Sequence, residues 1–372
     1  MRISSITANF EQGFHRVCAD VDGAPLWFES ADVPLSPSPE AFASAMLIPA
    51  IARGEPLIVE DSLGTTWLSN VSKLFPIFRE WWDYPELPPQ PASVKFSDVA
   101  RLESIALCFS GGVDSFHTLL RSGYRINYLV FALGFDIPLN DRVRFDAFEP
   151  SLREVASAIG ATPVVIRTNL REHASFTPVS WERTHGGGLA AIGHLLSDNV
   201  GRLLISSSFP YSDPKPWGSS WLTDHFWSSE RLQVIHFGAE LLRQQKLQAI
   251  ASEPLVRRHL RVCWENNAPT GNCSRCDKCV RTRLTLADIG ELANYPGFEG
   301  EESLAQHIDA LPPIERLRKV HHELANSERL ATETRLALQR LIARSAQGEQ
   351  SGRSGTAGNF IRRLWSWIRD QK

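Results

Sequence analysis

The stretch Ser104-Ile-Ala-Leu-Cys-Phe-Ser-Gly-Gly-Val-Asp-Ser-Phe-His-Thr-Leu-Leu120 decides the fold. An apolar, β-prone run up to Phe109 enters Ser110-Gly111-Gly112-Val113-Asp114-Ser115 and leaves directly as a helical pattern. Two adjacent glycines let backbone N–H groups approach an anion closely. Ser110 and Ser115 add hydroxyl donors, and the helix start presents its positive dipole end. This is the make-up of a phosphate or pyrophosphate cradle. It is not a Walker A loop, because Gly188-x4-Gly193 is followed by His194 and no Gly-x4-Gly-Lys occurs.

Outward from this loop, strand and helix patterns alternate from about 99 to 290. Ser104 to Phe109, Asn127 to Leu133, Thr162 to Thr168, Arg202 to Ser207 and Arg231 to His236 read as strands. Ser115 to Arg121, Phe145 to Ile159 and Leu189 to Asn199 read as helices between them. Continuous apolar strands alternating with helices predict a parallel sheet buried on both faces, here a Rossmann-like α/β sheet of five strands. Ligands of such sheets bind at the carboxyl ends of the strands, where strand order reverses.

The flanks differ in character. Residues 1–98 predict a small α+β unit: three short strands, Ser4 to Phe10, Phe14 to Val21 and Ala24 to Phe28, a helix over Glu40 to Arg53, a strand-like run Leu57 to Glu60 and a further helix through Trp82. The prolines at 85, 88, 89 and 91 read as a linker and place a domain boundary there. Residues 291–345 read as a helical region. From Ala346 to Asn359 the chain is rich in Gly, Ser and Gln, which predicts a flexible tether. Phe360 to Lys372 then places Ile361, Leu364, Trp365 and Ile368 on one face of a short basic helix, suited to a protein partner or to weak contact with an anionic membrane.

The whole chain of 372 residues carries 39 Lys+Arg against 42 Asp+Glu, a formal charge of −3, which argues against a uniformly basic nucleic-acid binder. No apolar run approaches the length of a membrane span, and the N-terminus lacks a signal-peptide core, so a cytoplasmic location is expected. Of six cysteines, Cys18 and Cys108 are isolated. Cys263, Cys273, Cys276 and Cys279 form a Cys-x9-Cys-x2-Cys-x2-Cys cluster whose spacing predicts a metal. Four thiolates suit a closed, structural Zn2+ site, with an iron–sulfur cluster as the alternative.

The Ser-Gly-Gly-x-Asp-Ser hexapeptide at a strand-to-helix junction resembles the signature of the PP-loop ATP pyrophosphatases. With the cysteine pattern following in the same α/β unit, residues 100–290 resemble the 7-cyano-7-deazaguanine synthase family. The resemblance implies binding of ATP with Mg2+. It makes Ser110, Gly111, Gly112, Val113, Asp114 and Ser115 the pyrophosphate loop, and Asp114 the helper for magnesium. It also implies an adenylating reaction in which a small-molecule or peptide-terminal carboxylate, such as a deazapurine acid, attacks the α-phosphorus. A nitrogen donor then displaces AMP to give an amide or nitrile. Two other readings stay open: thiolation of tRNA, as by other PP-loop proteins, and a module that binds ATP without turnover.

Three weaker signals complete the candidate site. Phe209 to Trp227 is a long segment with Trp217, Trp221 and Trp227, placed where an α/β sheet presents a substrate loop. Its aromatic rings either stack a purine-like ring or pin the loop, and Lys215 within it is a candidate to neutralise phosphate charge. Thr184-His-Gly-Gly-Gly-Leu-Ala-Ala191 predicts a loop entering a helix, with His185 as an ATP-side or substrate contact or with the glycines serving close helix packing. Between Arg257 and Arg283, seven Lys/Arg outnumber two Asp/Glu, so a phosphate-bearing or protein partner remains open at the cysteine cluster.

Overall fold

The computed structural model describes residues 1–96, 99–265, 268–298, 303–314 and 319–351, with the side chains of 319 and 347–351 left aside. The short helix expected over Phe360 to Lys372 lies outside the described residues. In chain order the strands are β1 Arg2–Glu11, β2 Phe14–Val21, β3 Ala24–Ser30, β4 Ile58–Gly64, β5 Gln90–Lys95, β6 Ile105–Cys108, β7 Tyr128–Leu133, β8 Thr162–Thr168, β9 Arg202–Ser206 and β10 Gln233–Phe237. The helices are α1 Pro39–Ala52, α2 Thr65–Val71, α3 Leu74–Trp82, α4 Val113–Arg121, α5 Arg142–Ala158, α6 Trp181–Leu195, α7 Arg243–Ile250, α8 Pro254–His259, α9 Asp277–Asp288, α10 Leu304–Ala310, α11 Lys319–Ala325 and α12 Thr332–Ser351.

The five expected strands are present and mutually parallel, in the order β10-β9-β6-β7-β8. Strand order reverses between β6 and β9, so the loop after β6 emerges at the switch point. Alternate residues serve opposite faces. Leu129, Phe131 and Leu133 of β7 and Leu204 of β9 pack against α4, α5, α7 and α9, whereas Val130, Val164, Leu203 and Ile205 join a second core with α1 and α6. Burial on both faces explains why these strands are continuous apolar runs.

The five-stranded sheet is corrected to one of ten strands. β3 pairs antiparallel with β8, Phe28 opposite Thr168 and Glu29 opposite Arg167, and the sheet runs on as β2, β1, β4 and β5. The seam is built from polar anchors. Glu29 accepts from Arg16 Nε at 2.9 Å and pairs with Arg167 at 2.9 Å, Asp32 accepts from the Val165 N–H at 2.8 Å, and Asn169 accepts from the Trp27 N–H at 3.0 Å. One core holds Ile3, Phe28, Phe42 and Met46 together with Ile166, Ala190 and Trp227. The proline-rich segment expected to be a linker leads straight into β5, which pairs with β4 from Gln90 onward.

α6 begins at Trp181, eight residues before the helix expected at Leu189, and contains the three glycines expected in a loop. They are required by close approach: a Cβ at Gly187 would overlap the carbonyl oxygen of Ser44 in α1, and one at Gly186 would overlap that of Gly218. α12 continues through Ser351, so the first residues of the glycine- and serine-rich stretch are helical. Among the described residues, no helix is long and apolar enough to cross a membrane.

Candidate nucleotide and metal site

Gly112 is the N-cap of α4, and Gly111 turns the chain with φ of 74°. A side chain at Gly111 would crowd Phe148 at 3.2 Å as well as adopt a left-handed backbone, so glycine is required twice over. The loop is fastened from outside: the Arg261 N–H donates to the Gly111 carbonyl at 2.8 Å. Arg261 lies two residues before Cys263, so the loop and the cysteine cluster share one stretch of chain.

Asp114, in the first turn of α4, accepts from Arg243 and, at 3.1 Å, from Lys246, both on α7. Burial works against the carboxylate, but Arg243 and Lys246 together hold it below the ordinary aspartate range. Lys246 is 1% exposed and also donates to the Ser207 carbonyl at 2.6 Å. The ammonium group of Lys278, on the first turn of α9, makes no hydrogen bond or ion pair among the described residues. Burial, then the field of Arg243, pushes its ammonium group down, offset in part by Asp136 and Asp114. Burial also lowers Arg261. Arg243, Lys246, Arg261 and Lys278 thus gather cationic charge about the loop, while Asp114 supplies local countercharge. An incoming anion relieves such crowding. Neither Arg243 nor Lys246 is legible as a site residue, because Leu242 to Ile250 has the composition of any solvated helix.

Lys215 stands in the long segment between β9 and β10, and His185 on α6. Lys215 lies 3.7 Å from Asp213 and 4.8 Å from the centre of the Phe209 ring. His185 donates from Nδ1 to the Trp181 carbonyl at 3.0 Å and accepts at Nε2 from the Ser219 N–H at 3.2 Å. Burial lowers its pKa, in keeping with a neutral ring that fastens the long segment to α6. The aromatic side chains of that segment also pin it: Trp217 meets His185 and Phe209 edge-on, Trp221 meets Tyr211, and Trp227 is fully buried in the shared core.

The four cysteine sulfurs all lie within 4.8 Å of one another, an arrangement compatible with a zinc site. Cys276 is the N-cap of α9, and Cys263, Cys276 and Cys279 are buried. A hydrogen bond from Cys279 brings the Cys276 thiol down to about 5, which favours one thiolate even among protein groups alone. Asn272, which no sequence signal marked, clamps the two ligand segments. Its Oδ1 accepts from the N–H groups of Val262 at 2.8 Å and Cys263 at 3.2 Å, and its Nδ2 donates to the Leu260 carbonyl at 2.8 Å. Arg283 donates to the Ser274 carbonyl at 2.9 Å and meets His307 at 2.8 Å, tying the cluster to α10.

The excess positive charge near the cysteines is partly balanced by acidic partners: Arg257 pairs with Glu291, Arg258 with Glu154 and Arg281 with Asp277. Cys108 ends β6, half-buried, its thiol pushed up to about 12 by burial and by the nearby Asp224 carboxylate. Burial likewise raises Cys18, on β2. Compared with protein-family models, curated proteins and solved structures, the chain has no match.

Proposed function

We propose that the chain is an ATP-dependent adenylating enzyme that activates a carboxylate as an acyl-AMP, releases pyrophosphate and passes the acyl group to a nitrogen nucleophile. The observation that carries this reading is the cationic setting of the Ser110–Ser115 loop: a glycine-rich strand-to-helix turn at the switch point, flanked by Arg243, Lys246, Arg261 and Lys278. Backbone N–H groups of the loop and the α4 start hold the pyrophosphate end of ATP. Arg243, Lys246 and Lys278 offset the charge that builds as the bond between the α and β phosphates breaks. Catalysis of this kind is mainly positioning and charge stabilisation.

Asp114 acts here as the anchor that aims Arg243 and Lys246. Magnesium arriving with ATP would share this carboxylate with the two cations, and Arg243 and Lys246 would then meet the phosphates beside it. The four cysteines suit a structural Zn2+, which would hold Leu260–Cys263 in place and, through the Arg261–Gly111 bond, support the loop. Thiolation is the weaker reading, since Cys18 and Cys108 both have raised thiol pKa values and poor thiolate character.

The test is exchange of labelled pyrophosphate into ATP by the full chain, across a panel of deazapurine, amino and sugar acids. Carboxylate-dependent exchange is the expected result. Tight ATP binding without exchange or AMP formation on any acid would instead identify a non-catalytic binding module.

A further inference from the structure

A second polar cluster lies at the same carboxyl edge of the sheet, on the face opposite α4. Asp224, which is 0% exposed, accepts from Ser219 Oγ at 2.7 Å, from the Ser220 N–H at 3.0 Å and from His236 Nδ1 at 2.7 Å. His236 stands on β10 opposite Ile205 of β9. Cys108, one residue beyond the Leu107–Leu204 pair, is level with the same Ile205 on the other side. The dyad therefore lies two strands, roughly 10 Å, from the strand that feeds the Ser110–Ser115 loop.

The carboxylate fixes the histidine tautomer. An ionised aspartate at 2.7 Å can only accept, so the proton is on Nδ1 and Nε2 carries the lone pair in the neutral ring. Among the described residues that Nε2 is shielded from solvent and has no hydrogen-bond partner, and the same holds for the indole N–H of Trp221 in the overlying segment. Buried acceptors without partners are uncommon and costly, and where they persist beside a ligand crevice they mark a functional demand. By contrast His185, on α6, has both ring nitrogens occupied.

We infer that His236, held in this tautomer by Asp224, is the proton acceptor for the nitrogen nucleophile of the second half-reaction. This inference rests on the adenylating reading. The nitrogen lone pair of ammonia attacks the acyl carbon of the acyl-AMP and the C–N bond forms. The bond from that carbon to the phosphate oxygen breaks, its electron pair leaving with AMP. The surplus proton on nitrogen passes to His236 Nε2 and from there to solvent. A nucleophile as small as ammonia is the class that so enclosed an acceptor admits. Asp224 is a positioning residue, orienting the ring and stabilising the imidazolium that forms.

The test uses the full chain with 7-carboxy-7-deazaguanine as the acid and ammonium chloride as the nitrogen source. His236→Gln should lower amide formation about 100-fold or more relative to pyrophosphate exchange, with its thermal midpoint measured alongside. Equal amide formation, or a parallel loss of both reactions, overturns the inference. Absence of exchange in the wild type overturns the adenylating reading for this acid and the inference with it. A second measurement needs no acid: two-bond proton–nitrogen spectra of histidine-labelled protein should show His236 protonated on Nδ1, shifting to Nε2 in Asp224→Asn. A wild-type ring protonated on Nε2 alone overturns the inference and leaves the adenylating reading untouched.

Discussion

Burial lowers the pKa of both His185 and His194, and each ring takes part in a hydrogen bond to a backbone carbonyl, that of Trp181 and that of Trp227 respectively. An unfolded chain accepts a proton on each near the ordinary histidine value of about 6.5, whereas the folded chain withholds it until a lower pH. Stability is therefore full above that value and declines as pH falls from it, by up to about 1.4 kcal/mol per pH unit for each histidine. Urea midpoints between pH 7 and pH 5 should show this slope, and His194→Gln should flatten it. An unchanged slope in the variant would remove His194 from the account.

At the scale of elements, the contact between α1 and α6 depends on glycine. Gly187→Ala drives a methyl group into the Ser44 carbonyl and should destabilise the chain by about 2 kcal/mol, read from denaturant midpoints. Asn272→Ala removes the clamp across the cysteine segments while leaving all four thiols. Competition with a chelator should then show zinc affinity reduced about 10- to 100-fold, from one metal per chain in the parent. These two cases also show where the sequence is readable. The five parallel strands are legible because burial on both faces leaves unbroken apolar runs, and the loop because glycine and serine crowd a strand end. The start of α6 is not, since glycines chosen for close packing have the same local signature as a loop. Arg243, Lys246, Asp224 and His236 are silent for another reason: their chemistry arises only when α7 meets α4 and the long segment meets β10.

Across the whole molecule, the seam between β3 and β8 makes the first strands and the five parallel strands one sheet over a shared core. Unfolding should accordingly be a single cooperative transition with coincident fluorescence and circular-dichroism curves. A chain begun at residue 99 should be insoluble, because it bares Val164, Ile166 and Trp227. Two separated transitions would show independent units. The N-terminal residues reach still further, to the segment that carries Asp224. Glu230 accepts from the Thr66 N–H at 2.6 Å at the start of α2, and Asn70 donates to the Ser228 carbonyl at 3.0 Å. Exchange of residues 1–96 between related chains would therefore transplant more than a scaffold. It would reset, from behind, the posture of the segment over the crevice, so acceptor preference should travel with a graft that contains no residue of the Ser110–Ser115 loop.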